Sequence, residues 1–211
     1  MRNLVIAALG MLTLTACSPL TSSHPLFSAS DQTGPAPVAE GVWVAIDGDC
    51  TREAAATTPL PSACQPFDLR RNAAGAWEAV GHKDGREERL PFVLAPAFPR
   101  ADASAYAPLY LVQMSARDAG VDHEAPVAQQ VYGIVIPLGP MPAHEVMFGQ
   151  IECDALVEDW PLAGITAQRD ARGSLNGCTV DDPATALEAA RRATIAQLSN
   201  LEQSRMIFVH Q

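Results

Sequence analysis

His144-Glu145 is the residue pair that opens a zinc-protease helix, where two histidines four residues apart hold the metal and the glutamate activates water. Position 148 is Phe, so the second ligand is missing and the pair reads as ordinary surface. Asp47-Gly48-Asp49 has the opening of a calcium loop, but the later acidic positions and the required glycine are absent, and a turn is the better reading. Asp118, Asp122, His123 and Glu124 gather around Gly120 as a small acidic cluster. Its oxygens and imidazole are of the kind that takes a cation; a solvated loop is the default. Glu158-Asp159 and Asp181-Asp182 are adjacent carboxylates, and adjacent side chains often point apart, so neither makes an acid–base pair. There is no Gly-x-Ser-x-Gly and no glycine-rich phosphate loop. The expectation is a domain that is not an enzyme and has no cofactor and no metal. Trp43, Trp77 and Trp160 are candidates to line a pocket, with core packing the default.

The chain begins Met1-Arg2-Asn3 and continues as an uncharged apolar run, Leu4 to Leu14. A positive start before such a run is the layout of a secretory signal. The run is short of the roughly 20 apolar residues that span a bilayer. Leu14-Thr15-Ala16-Cys17 follows. These four residues resemble the lipobox of bacterial lipoproteins. The resemblance implies removal of residues 1–16, a diacylglyceryl group on the sulfur of Cys17, and acylation of the new amino terminus. The membrane is then a partner through Cys17. Each buried CH₂ contributes about 0.8 kcal/mol and one chain anchors only marginally, so two or three chains make release negligible. The residue after Cys17 is Ser18, not Asp. In bacteria with two membranes this points to the outer membrane, with the domain facing the periplasm.

Cleavage there would remove only Arg2 from the charged residues, leaving 13 basic against 24 acidic. That excess of negative charge argues against nucleic acid as a partner. It is compatible with a basic protein or a cation, and equally with solubility alone. Four cysteines remain in the exported chain: Cys50, Cys64, Cys153 and Cys178. An even number in an oxidising compartment reads as two disulfides. Cys50–Cys64 and Cys153–Cys178 are the favoured pairs among three pairings, because near neighbours meet most easily. Each loop would add roughly 3 kcal/mol in the chain-entropy picture. No Cys-x-x-Cys is present, which leaves thioredoxin-type redox chemistry and zinc ribbons without support.

Residues 17–38 hold the lipidated cysteine and a Ser/Pro/Thr/Gly-rich stretch, expected to be a flexible tether with a root-mean-square span of roughly 25 Å. Pro25-Leu26-Phe27 interrupts it with an apolar patch suited to docking on the domain. Residues 39–211 make a single domain. Strand-like runs lie at Val42–Ile46, Pro66–Arg70, Ala76–Val80, Glu88–Leu94, Leu109–Met114, Val131–Leu138, Val146–Ile151 and Arg205–Val209. Asp84-Gly85 joins two of them as a hairpin. Residues 51–63 read as a loop. Asp182 and Pro183 begin a helix running to about Gln203, with Leu187, Ala190, Thr194, Leu198 and Leu201 on its apolar face and Ile195 beside it. The fold class is α+β, a mostly antiparallel or barrel-like sheet with one long C-terminal amphipathic helix. The leading functional reading is a membrane-anchored binding or structural module. The alternatives are a carrier of an apolar small molecule inside a β-barrel, and an acidic inhibitor or chaperone of a basic exported protein.

Overall fold

The computed structural model describes residues 19–46, 49–83, 85–98, 108–119, 130–199 and 206–211. Residues 1–18, which include the signal and Cys17, lie outside them.

Seven strands follow one another as a meander: β2 (Gly41–Ile46), β3 (Pro66–Arg71), β4 (Trp77–Lys83), β5 (Arg86–Pro96), β6 (Tyr110–Ser115), β7 (Gln130–Pro137) and β8 (Glu145–Gln150). The C-terminal strand β11 (Met206–His210) lies between β8 and β2, antiparallel to both. β6 also pairs with β7. The ring of hydrogen bonds therefore closes, and these eight strands form an antiparallel barrel with no free edge. The β4–β5 hairpin turns at Gly85, whose φ of 77° is the left-handed conformation the Asp-Gly signal demands.

Strand periodicity sorts the side chains. Trp43 on β2, Phe67 and Leu69 on β3, Leu94 on β5, Val112 on β6 and Phe148 on β8 point inward to one apolar cluster. The outward residues of β6 and β7 are buried as well, so Leu109, Leu111, Ile134 and Ile136 belong to a second cluster on the barrel's outer wall. That wall is covered by a three-stranded addition and by a helix. β1 (Leu20–Ser22) pairs with the start of β7 and runs parallel to β10 (Leu175–Val180), which pairs with β9 (Ile165–Arg169). None of these three strands was expected from the sequence.

The segment expected to be a tether is thus part of the domain from Pro19 onward. Pro19 bridges to Glu152, Leu20 is fully buried, and Phe27 is 7 % exposed. The docking of Pro25-Leu26-Phe27 is the reason. Gln113, on the outer face of β6, accepts the amides of Leu26 and Phe27 at 2.8 and 2.9 Å and donates to the carbonyl of Phe27 at 2.8 Å.

The short helix α1 (Arg52–Ala55) lies in the stretch expected to be a loop, capped by the Thr51 hydroxyl. Both disulfides are present, Cys50–Cys64 and Cys153–Cys178. The first packs its loop on the outer side of β2 against Val44. The second ties the segment after β8 to β10 beside Leu20.

The C-terminal helix α2 (Pro183–Ser199) packs on the barrel wall through Ala186, Ala189, Ala190, Ala193 and Thr194. Of the expected face, Ala190 and Thr194 are buried and Leu187 is half-buried; Ala186, Ala189 and Ala193, which were not expected there, make the rest of the contact. Small side chains let the helix backbone approach the sheet closely. The side chains of Ile195 and Leu198, together with Leu201 and the expected helix end at Gln203, lie outside the description. Arg191 fixes the orientation by donating to the carbonyl of Ala97 at 2.8 Å. Among the described residues no helix is long and apolar enough to cross a membrane.

Candidate functional site

The barrel interior is not completely filled. Eight strands give an interior about wide enough for its own side chains or for one small ligand. Here a cavity of about 60 Å³ remains, lined by Val38, Trp43, Phe67, Leu69, Ala79, Phe92, Leu94, Val112, Met114, Val135, Val146, Phe148 and Phe208. Every lining residue is apolar; Val38 precedes β2, and the others come from β2 through β8 and β11. Space survives because several large rings meet small residues. Phe67 and Phe208 meet edge to face with centroids 5.6 Å apart, while Ala79 leaves room on β4, next to the strand that carries Phe67. On β7 the interior position 133 is glycine, and the Phe148 ring lies against it.

One end of the barrel is closed by its own chain. Ala39 donates to the carbonyl of Ala143 at 2.9 Å, and Ala143 donates to that of Pro37 at 3.1 Å. This pins Val38 over the interior, where Met141 also packs. Beside this closure His144 and His210 approach through their Nδ1 atoms at 3.1 Å. His210 donates through Nε2 to the carbonyl of Glu40 at 3.0 Å, so His144 is the donor between the rings when both are neutral.

Two tryptophans occupy the interior, and their indole N–H groups differ. That of Trp43 donates to the carbonyl of Ala39 at 3.0 Å. That of Trp77 is buried and has no hydrogen-bond partner among the described residues. The guanidinium carbon of Arg71, the last residue of β3, lies 4.3 Å from the centre of the Trp77 ring.

Behind the wall, Tyr132 on the outer face of β7 shares a hydrogen bond of 2.7 Å with Ser22 of β1. Burial pushes the Tyr132 hydroxyl up to about 12, against the lowering effect of Ser22. This network is structural, since it fastens the N-terminal segment to the barrel.

The other candidate residues are dispersed. His144 is exposed, and Glu145 is held by both guanidinium nitrogens of Arg52 in a surface ion pair. That bond keeps the Glu145 carboxyl below its usual range. Asp49 and Asp118 are exposed; Asp47, Gly48, Asp122, His123 and Glu124 fall outside the described residues. Glu158 pairs with Arg169, while Asp182 caps α2 by accepting the amide of Thr185 at 2.9 Å. No group of three His, Cys, Asp or Glu is placed to hold a metal among the described residues. Of the tryptophans, Trp160 is 51 % exposed on the turn before β9, far from the lining set in role and in burial. The interior phenylalanines, Gly133 and Arg71 were not singled out by sequence. Their only sequence signal is alternation on strands whose closure into a barrel is not written in any local pattern.

No family model, no curated protein and no solved structure matches this chain.

Proposed function

We propose that this protein is a small-molecule carrier of the bacterial cell envelope, a β-barrel that takes an apolar ligand into its interior. The observation that carries the reading is the cavity itself: it lies inside a closed barrel and its lining is wholly apolar. An apolar cavity gains nothing from water and accepts an apolar occupant, as engineered cavities of similar chemistry do. Ligand sites of this kind are concave and mostly apolar. No catalytic role is assigned to any residue.

The carrier is held at the membrane by lipid on Cys17, on the strength of Leu14-Thr15-Ala16-Cys17. Because β1 begins at Leu20, only Ser18 and Pro19 separate that cysteine from a fixed strand. A span of three residues is at most about 11 Å. The barrel then rides close against the bilayer rather than at the end of a long leash.

The test uses the exported protein with Cys17→Ser, so that it is purified without detergent. Benzene, whose six carbons match the volume of the cavity, is titrated by calorimetry into the wild-type barrel and into Ala79→Leu. The leucine places three further carbons in the cavity. Saturable binding that is lost in Ala79→Leu, with far-UV circular dichroism unchanged, is the expected result. Equal binding by both proteins would place the probe elsewhere and sink the carrier reading. Incorporation of labelled palmitate into the wild type and not into Cys17→Ser checks the anchor separately.

A further inference from the structure

The second histidine that the His144-Glu145 pair lacks at position 148 comes from another strand. His144 precedes β8, His210 ends β11, and their Nδ1 atoms stand 3.1 Å apart. The ring centres are 4.7 Å apart with the planes inclined at 84°, so each Nδ1 lies on the side of its ring that faces the other. A tetrahedral zinc with Zn–N bonds of about 2.0–2.1 Å holds two nitrogens about 3.3–3.4 Å apart. A square-planar ion with bonds of the same length holds neighbouring nitrogens about 2.8–3.0 Å apart. The observed separation falls between the two.

The surroundings fix this pair. The amide of His210 donates to the carbonyl of His144 at 2.8 Å, which holds the two residues side by side. Nε2 of His210 donates to the carbonyl of Glu40 at 3.0 Å. A neutral His210 therefore carries its proton at Nε2 and presents a bare lone pair at Nδ1. Such a bond, from the far ring nitrogen to a backbone carbonyl, is what orients histidines that ligate metals. Gly41 keeps the space for the ring: a Cβ there would stand 2.7 Å from Nε2 of His210. Trp43 meets the His210 ring edge-on with centroids 5.6 Å apart. His144 is exposed and His210 half-buried, so the pair is open to solvent on one side.

We propose that His144 and His210 bind a divalent transition-metal ion, Cu²⁺ most strongly and Zn²⁺ next, through their Nδ1 atoms. Imidazole suits both ions, and Cu²⁺ stands above Zn²⁺ in affinity for a given nitrogen site. His144 takes the neutral tautomer with its proton at Nε2, which frees its Nδ1 and releases no proton. Among the described residues no third His, Cys, Asp or Glu joins the pair, so water fills the remaining positions. Glu145 is held by Arg52 and is not free to activate a bound water, so the site binds the ion without hydrolysing anything. A net charge of -10 favours a cation over an anion at this surface. The ion ties the chain ahead of β8 to β11, the strand whose pairing with β2 closes the barrel. This site is separate from the apolar cavity and does not depend on the carrier reading.

Copper(II) chloride is titrated by calorimetry at neutral pH into the untagged Cys17→Ser protein, stripped beforehand with a chelator. The electron paramagnetic resonance spectrum is recorded at one equivalent. The expected result is one Cu²⁺ per chain, with the splitting of two imidazole nitrogens. His144→Ala is expected to weaken binding about tenfold or more, since loss of even an outer partner of a ligand costs about 10–100-fold. Replacing the other three histidines, His24, His82 and His123, by alanine is expected to leave binding as it was. Zn²⁺ is expected to raise the urea midpoint of the parent protein and not that of His144→Ala. Equal Cu²⁺ affinity in the parent and in His144→Ala overturns the proposal. So does a parent spectrum with fewer than two imidazole nitrogens, or no binding at all. The spectrum is read on the parent alone, so misfolding of a variant cannot mask the answer.

Discussion

Replacing Gln113 by Met tests how the N-terminal segment is fastened. Methionine keeps the length of the side chain and removes both its polar groups. Gln113 makes three bonds to the backbone of Leu26 and Phe27, at 2.8, 2.9 and 2.8 Å, from a position only 4 % exposed. At about 1 kcal/mol net for each bond, the direct loss is about 3 kcal/mol. If the segment stays docked, its orphaned amides raise the cost further. The protein has an alternative, which is to release the segment. Release exposes Phe27, whose burial is worth about 1.5–3 kcal/mol, and part of Leu26. The two routes cost similar amounts, so the expected destabilisation is about 2–4 kcal/mol. Urea unfolding of the Cys17→Ser protein measures the total. Hydrogen exchange at the Leu26 and Phe27 amides identifies the route, because fast exchange under native conditions means release. Phe27→Ala supplies the second arm of a cycle. If Gln113 acts through the segment, the two substitutions together cost less than the sum of each alone. A loss below about 0.5 kcal/mol, with both amides still protected, would refute the reasoning. So would strict additivity.

Tyr132 gives a pH dependence whose sign is fixed. An unfolded tyrosine loses its proton near 10, whereas the folded one holds it to about 12. The stabilisation is complete below about pH 10 and is lost as pH rises through 12, amounting to up to about 3 kcal/mol. Urea midpoints between pH 9 and 12 should fall for the wild type and show a shallower slope for Tyr132→Phe. At Gly133 a methyl group would stand 2.8 Å from Cζ of Phe148 and 3.0 Å from the carbonyl oxygen of Gly149. Gly133→Ala should therefore cost about 1–3 kcal/mol and weaken benzene binding as the ring is displaced, read from thermal melts and calorimetric titration. Removing Cys153–Cys178 opens a loop spanning 25 positions and should cost about 3 kcal/mol, slightly more than removing Cys50–Cys64, which spans 14. Urea unfolding of the paired alanine variants ranks the two.

Local signals carried much of this fold. The strands of the meander follow runs of alternating residues, and Gly85 takes the positive φ that its dipeptide requires. Both cysteine pairings follow from proximity in sequence. The errors have a common cause, which is partnership with distant segments. β1 is three residues long and exists because β7 and β10 flank it. Its composition of Leu, Thr and Ser beside Pro19 resembles any linker. β10 contains Asn176 and Gly177, poor strand formers, and is held by the disulfide and by Pro19. On α2, the expected face included Ala190 and Thr194, which are buried, but set Leu187 beside them and missed Ala186, Ala189 and Ala193. Large apolar residues drive burial in water, but a helix laid directly on a sheet whose outer face is already apolar is positioned by what lets it come close.

The site shows the same limit more sharply. Trp43 and Trp77 were nominated by residue type, and both lie inside the barrel; Trp160 has the same type and is on the surface. What separates them is strand parity together with closure, and closure depends on β11 returning past β9, β10 and α2 to pair with β2. Until that last strand is in place, Phe208 is only a phenylalanine near the chain end. Once it is there, Phe208 lies edge-on to Phe67, some 140 residues away, and the space between their neighbours takes shape. A cavity is the difference between the volume the strands enclose and the volume the side chains fill, and both terms depend on every strand at once. The unpaired Trp77 N–H follows the same logic: it is a property of what surrounds the indole, and only the closed barrel determines that no acceptor among the described residues reaches it.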